Sequence, residues 1–134
     1  MSRIFLLLSD PVAAARTRSL IDHTPGLQTV GWVTTLDHAR VQIPAAQPDL
    51  VIADLQLADG PFAGLLDALC HTPRYGRPKT LVLTVSPDHP HLFAALRHGA
   101  DSFLVTGRPA ESLIEAVRQV LRGEAAIAPG VARR

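Results

Sequence analysis

The chain has 134 residues, 47% of them apolar and 19% charged, which suits one compact domain with an ordinary core and leaves no room for a second. Thirteen basic residues against twelve acidic leave a net charge of +1, so nothing marks this segment as a binder of nucleic acid or of an anionic membrane. The single cysteine, Cys70, excludes an internal disulfide, and with neither a secretory leader nor an apolar run of about 18 residues the expected location is the cytoplasm.

Taken in chain order, apolar runs of strand length alternate with stretches of helical spacing. Ile4 to Leu8 is a continuous apolar run; Val12, Ala15, Leu20 and Ile21 then recur at helix-compatible spacing until "HTPG" breaks the chain. Thr29 to Val33 is β-branched and aromatic, and the next segment, Thr35 to Ile43, opens on good helix-entry residues and is expected to stop before Pro44. Leu50 to Ala53 is a third strand, short and largely β-branched as in a sheet buried on both faces. After "ADGPFAG" a helix runs through Leu65, Leu66, Leu69 and Cys70, ending before Pro73, with Cys70 as a buried filler thiol. "TLVLT", Thr80 to Thr84, is the fourth strand, followed by a helix through Leu92, Phe93, Ala95 and Leu96 up to Gly99. Ser102 to Val105 is the fifth, and Leu113, Ile114, Val117, Val120 and Leu121 mark the last helix. Five β–α steps predict a doubly wound, five-stranded parallel sheet with helices on both faces.

That architecture locates a site before any motif is considered, because ligands of open α/β sheets meet the crevice at the carboxyl ends of the strands. The residues just past the strands are Ser9 and Asp10, Asp54 and Gln56, Thr84, Val85 and Ser86, and Thr106 and Gly107. Asp54 stands out, since a carboxylate at the end of a buried run needs partners or a task. The set holds two carboxylates and several hydroxyls but no lysine.

Asp54 after a buried strand, "LVLT" closing on Thr84, "LRHGADSFLV" leading into the fifth strand and "RPAESLIEAVRQVLRGE" after it together resemble a response-regulator receiver domain, over nearly the whole chain. The tail "GEAAIAPGVARR" resembles the linker of NarL/LuxR-type transcriptional regulators, in which a helix-turn-helix domain follows. The resemblance implies a flavodoxin-like (βα)5 receiver over residues 1–122 and the start of a linker over 123–134, with any DNA contact made by an output domain outside these residues. It assigns Asp54 as the acceptor of a phosphoryl group from a histidine kinase, Thr84 as the switch hydroxyl and Phe103 as the aromatic that moves with it. Gln56 falls where a backbone carbonyl meets Mg²⁺, and Ser86 where a variable side chain lines the access route.

The sequence departs from that pattern where the chemistry is most demanding. The two acids that follow the first strand in receivers are Leu8 and Ser9 here, with Asp10 one place later; the fifth-strand lysine is Thr106; the small residue after the switch hydroxyl is Val85. The proline four residues past Asp54 is Ala58, and the following turn is about two residues longer than the pattern. Phosphoryl transfer rests on positioning and charge neutralisation, and Mg²⁺ is held by carboxylates, so Asp10, Asp54 and the Gln56 carbonyl would have to form the metal site alone. An incoming phosphoryl group of about −1.5 to −2 charges would meet only dipoles. The expectation is an atypical receiver, weakly phosphorylated or not at all, acting by homodimerisation and partner contact. Two alternatives stand beside it: a conventional phosphoryl-accepting receiver switched by a histidine kinase at Asp54, and a receiver gated by a small molecule in the space the missing lysine and acids leave.

The remaining candidates read as structural. His89 and His91 have no third ligand nearby in sequence and suit a solvated helix entry. Glu111 and Glu115 sit early in the last helix and Arg118 and Arg122 late, which favours the helix dipole and predicts a Glu115–Arg118 ion pair. The same helix, with the small patch Val12 to Ala15 on the first, is a candidate dimer surface; pairing through the fourth helix, fifth strand and fifth helix is equally open. No histidine sits at the strand ends as a base, so the hydroxyls do not make a hydrolase, and no enzymatic activity is expected.

Overall fold

The computed structural model describes residues 1–70, 77–107 and 109–124. The side chain of Cys70 and the tail from residue 125 onward, read above as a buried thiol and as a linker, lie outside the described residues. The elements are β1 (Ser2–Leu7), α1 (Pro11–Asp22), β2 (Leu27–Val33), α2 (Leu36–Ala46), β3 (Leu50–Asp54), β4 (Gln56–Leu57), β5 (Gly60–Pro61), α3 (Ala63–Cys70), β6 (Lys79–Thr84), α4 (Pro90–Arg97), β7 (Ser102–Val105) and α5 (Ala110–Leu121). Five strands form one parallel sheet in the order β2-β1-β3-β6-β7, while β4 and β5 make a separate two-stranded antiparallel hairpin.

Alternation along the central strands divides the core in two. Ile4, Leu6 and Leu8 turn to one face with Ile52 and Leu81, and are covered by Ala14 and Ile21 of α1 and Val117 and Val120 of α5. Phe5 and Leu7 turn to the other with Val51, Ala53 and Val82, beneath α2, α3 and α4 through residues such as Ile43, Leu66 and Leu92. Burying each such side chain is worth about 1.5–3 kcal/mol, which explains why the short β1 and β3, with the buried runs Ile4 to Leu7 and Leu50 to Ala53, can anchor the sheet from its middle. The chain leaves β1 toward β2 on one side and β3 on the other, so the reversal of strand order falls between β1 and β3. Their carboxyl ends deliver Ser9 and Asp54.

Local chemistry fixes the ends of the helices. Asp10 caps α1 ahead of Pro11, its carboxylate accepting the Val12 and Ala13 amides at 3.2 and 3.4 Å. Gly123, at φ 76°, ends α5 in a left-handed turn whose amides, those of Gly123 and Glu124, return to Val120 and Gln119. Two expectations are corrected. Helix α2 does not stop before Pro44 but runs through it to Ala46. Proline there removes one hydrogen bond in the last full turn on an exposed face, and the burial of Leu36, Ala39 and Ile43 holds the helix regardless. "ADGPFAG" contains part of the hairpin β4–β5, and Asp59 at its turn accepts the Leu36 and Asp37 amides at 2.9 and 3.0 Å, capping α2 from 23 and 22 residues away. These backbone donors, Leu36 first, hold the Asp59 carboxyl below its usual range.

Candidate functional site

Asp54, the last residue of β3, stands half-buried at the carboxyl end of the sheet. One of its oxygens, Oδ2, accepts both the Ser9 amide at 2.9 Å and the Ser9 hydroxyl at 3.0 Å. Oδ1 accepts no hydrogen bond among the described residues. The sequence therefore brings Ser9 and Asp54 together as a pair joined across 45 residues, with the serine occupying part of the space an acid would use.

The other first-strand positions point elsewhere. Leu8 is 1% exposed and packs with the α1 and α5 core, and its carbonyl accepts the Trp32 indole N–H at 2.9 Å. Asp10 is spent on capping α1. Gln56, which opens the hairpin, is exposed. Among the described residues no three side chains of histidine, cysteine or carboxylate type converge as a metal would need. The Mg²⁺ that the receiver pattern implies does not fit this arrangement: one carboxylate lines the crevice, and the side chain that could add a second is turned to helix amides.

The hydroxyl of Thr84 is buried and donates to the Ser86 carbonyl at 2.7 Å, while the Ser86 amide donates back to it at 3.2 Å. This closed local pair ties the last residue of β6 to the loop that follows, apart from the hydrogen bonds of Asp54. Ser86 Oγ in turn accepts the Asp88 amide at 3.2 Å. Thr106, exposed where receivers carry lysine, ties β7 to β6 through its amide on the Thr84 carbonyl at 2.7 Å. Val85 lies between, 77% exposed. Phe103 is half-buried against the core beneath α2, α3 and α4. Ser9 and Asp54 thus form one cluster and Thr84, Ser86 and Thr106 another; Asp10, Gln56 and Phe103 join neither through a described hydrogen bond.

Three features outside the strand-end set complete the picture. Trp32, 38% exposed at the end of β2, braces the Leu8 carbonyl next to the crevice; its place at a strand's carboxyl end was the available signal. Asp101 accepts the Thr80 amide and an Arg77 guanidinium N–H, both at 2.8 Å, locking the entry to β7 against β6. His89 caps α4, its Nδ1 accepting the His91 amide at 3.1 Å, as expected of a helix entry. The Glu115–Arg118 ion pair is not formed: Glu115 is reached by the Gln119 amide at 3.5 Å and Arg122 turns to Glu124 at 2.7 Å. Exposed charges gain little from any one partner, so the sequence spacing alone did not determine the choice.

No protein-family model matches the chain. It is 30% identical over 126 residues to the oxygen regulatory protein NreC of Staphylococcus carnosus, a match covering 92% of this chain and 58% of NreC. The chain therefore spans little more than half the length of that relative. A LuxR-family two-component response regulator from Aurantimonas sp. SI85-9A1 superposes with a TM-score of 0.85 at 22% identity, covering 99% of this chain and 94% of that one. The response regulator ChrA of a heme-sensing two-component system superposes with a TM-score of 0.76 at 27% identity, covering 98% and 62%. The chain has the fold of response-regulator receiver domains and is similar over nearly its whole length to regulators described as LuxR-family or two-component response regulators. Among its described residues no helix is long and apolar enough to cross a membrane.

Proposed function

We propose that this receiver is atypical: it regulates a transcription factor through dimerisation and partner contact, with phosphoryl transfer to Asp54 weak or absent. The observation that carries this reading is the double hydrogen bond from Ser9 to Asp54 Oδ2, made while Leu8 is buried and Asp10 caps α1. Phosphoryl transfer needs charge neutralisation at the acceptor. Here dipoles surround Asp54, and neither an acid pair for a metal nor a lysine at Thr106 supplies it. Thr84 is already satisfied by Ser86, so the resting loop has little to gain from reorienting.

The surface that supports pairing is α5. Glu111, Glu115, Arg118 and Arg122 are all exposed and follow at i, i+4, i+7 and i+11, one stripe of the helix. Two copies laid antiparallel about a twofold axis set the acidic half of one stripe against the basic half of the other. A cleft of ≈ 600 Å³ between this stripe and Leu20 of α1, with Thr24 just beyond that helix, provides the apolar contact.

The second reading, a conventional acceptor served by a histidine kinase, draws support from Asp54 itself, half-buried at the strand-order reversal with Oδ1 accepting none of the described hydrogen bonds. Intact-mass spectrometry after acetyl phosphate and Mg²⁺, with Asp54→Asn alongside, separates the two. No mass gain, under conditions that modify a receiver with its full acid set, supports the atypical reading. A gain of one phosphoryl group in the parent and none in Asp54→Asn replaces it with the second.

A further inference from the structure

A groove of ≈ 750 Å³ runs between α1 and α5 on the face of the sheet away from α2, α3 and α4. Its floor is Leu83 of β6 and Leu104 of β7, both left half-buried because the two helices do not close over them. Leu20 of α1 and Leu113 of α5 form apolar walls. The small side chains of Ala13 and Ala110 keep the mouth open. Among the described residues, the ionisable side chains lining the groove are Arg16 on α1 and His23 at its C-cap, and no carboxylate lines it. Glu111 and Glu115 line the adjoining cleft instead.

We propose that this groove binds an amphipathic monocarboxylate, its acyl chain along the four leucines and its carboxylate on the Arg16 guanidinium. The size lies within the range of small-molecule sites, about 300–1,000 Å³, and such sites pair an apolar lining with few polar groups that fix orientation. Arg16 has a fork suited to carboxylate, and the one-signed rim selects anions over cations of equal hydrophobicity. His23 donates from Nδ1 to the Ser19 carbonyl at 2.7 Å, which fixes its ring at the rim of the groove. The groove also touches the switch region: Leu83 precedes Thr84 in β6, and Thr106, part of the lining, holds the Thr84 carbonyl through its amide. A ligand on this floor bears on the strand ends that carry Thr84 without entering the Asp54 crevice. The site lies apart from the Asp54 crevice and stands whether or not Asp54 accepts a phosphoryl group, but it shares Leu20 and Ala110 with the cleft proposed for pairing.

The test is a methyl and amide NMR titration with dodecanoate below its micelle concentration, at a protein concentration where light scattering shows monomer. Saturable shifts at Leu20, Leu83, Leu104 and Leu113 are expected from dodecanoate and not from dodecylammonium. Arg16→Glu should weaken binding about tenfold or more, as loss and reversal of a charge-assisted contact predicts. Ala13→Phe, an exposed change that fills the mouth, should abolish it, with circular dichroism confirming the fold. Asp54→Asn should leave it unchanged. Absence of saturable binding, equal binding of the cation, or insensitivity to Arg16→Glu overturns the proposal. So do shifts at Leu83, Leu104 and Leu113, which the pairing cleft does not include, appearing without ligand as protein concentration rises, which would assign the groove to a second copy.

Discussion

Ser9 holds Asp54 from two directions at once, with its amide 2.9 Å and its hydroxyl 3.0 Å from the same carboxylate oxygen. The contact sets a neutral hydroxyl beside Asp54 where the receiver pattern sets an acid. Ser9 sets no second carboxylate beside Asp54, so no cation is needed there to offset repulsion between like charges.

Ser9→Asp should convert this arrangement into a metal-dependent one. Two carboxylates about 4 Å apart in water repel by about 1 kcal/mol, so without divalent ion the variant should melt a few degrees below the parent. Millimolar Mg²⁺ should restore that loss and change the emission of Trp32, the single tryptophan, whose indole holds the neighbouring Leu8 carbonyl. The parent should respond to Mg²⁺ by neither measure. Thermal melts and fluorescence titrations of the two proteins, with and without chelator, check this; a parent that responds as strongly as the variant would mean that Asp10 already supplies the missing ligand.

The capping of α2 by Asp59 makes a pH prediction. Its folded-state pKa lies below the ordinary value of 3.8 because the Leu36 and Asp37 amides favour the ionised form. A depressed carboxyl stabilises the fold above the unfolded-state pKa, and that stability is lost as pH falls through the folded-state pKa. Asp59→Ala should therefore lower the melting temperature at pH 7. The gap to the parent should be constant down to about pH 5 and close progressively below the ordinary carboxylate pKa. Paired melts across that range read it directly.

Much of this was legible because the signals were periodic. The apolar runs at Ile4 to Leu8 and Leu50 to Ala53 and the helical spacing through Val117 and Val120 place the sheet and both of its layers, and with them Asp54 at a strand end. What sequence could not show came from pairings with no local signature. Asp59 caps a helix whose first residue lies 23 positions earlier, and two-residue strands such as β4 and β5 carry no period to detect. The Ser9 to Asp54 contact spans 45 residues. Asp10 is different: aspartate directly before proline at a helix start is a capping signal, and here its carboxylate accepts the Val12 and Ala13 amides. At Pro44 the local rule was given too much, since core burial of α2 outweighs one lost hydrogen bond.

Gly31 is set by a close approach rather than by its backbone angle. β2 is irregular where Ile4 pairs with Thr29 and Phe5 with Gly31, and a Cβ on Gly31 would lie 2.6 Å from Phe5 Cε2. Phe5 is 1% exposed and cannot swing into solvent. Gly31→Ala should cost about 1–3 kcal/mol, the range for overpacking a well-filled core. Urea unfolding should show a lower midpoint with unchanged slope. Phe5→Leu in the same background should recover part of the loss by making room, and a neutral Gly31→Ala would show that β2 shifts outward freely.

The α5 stripe makes the last prediction, and its charge order makes it specific. Glu111 and Glu115 precede Arg118 and Arg122, so in an antiparallel pair each acid faces a base of the second copy, whereas a parallel pair sets like against like. Arg118→Glu with Arg122→Glu turns the whole stripe acidic and should drive the domain to monomer by sedimentation or light scattering. Glu111→Arg with Glu115→Arg turns it basic, with the same result. Mixing the two variants should restore a dimer, now a heterodimer, because each stripe meets its opposite along its whole length. The mixed dimer should weaken with added salt as exposed charges are screened within about 8 Å at physiological ionic strength. Arg122 already pairs with Glu124 in its own chain, but an exposed pair worth at most about 1 kcal/mol is readily exchanged for a partner's acids. Dimers that survive both single-sign variants unchanged would move the interface off α5, and a mixture that stays monomeric would reject the antiparallel arrangement while leaving the fold and the Asp54 site as they stand.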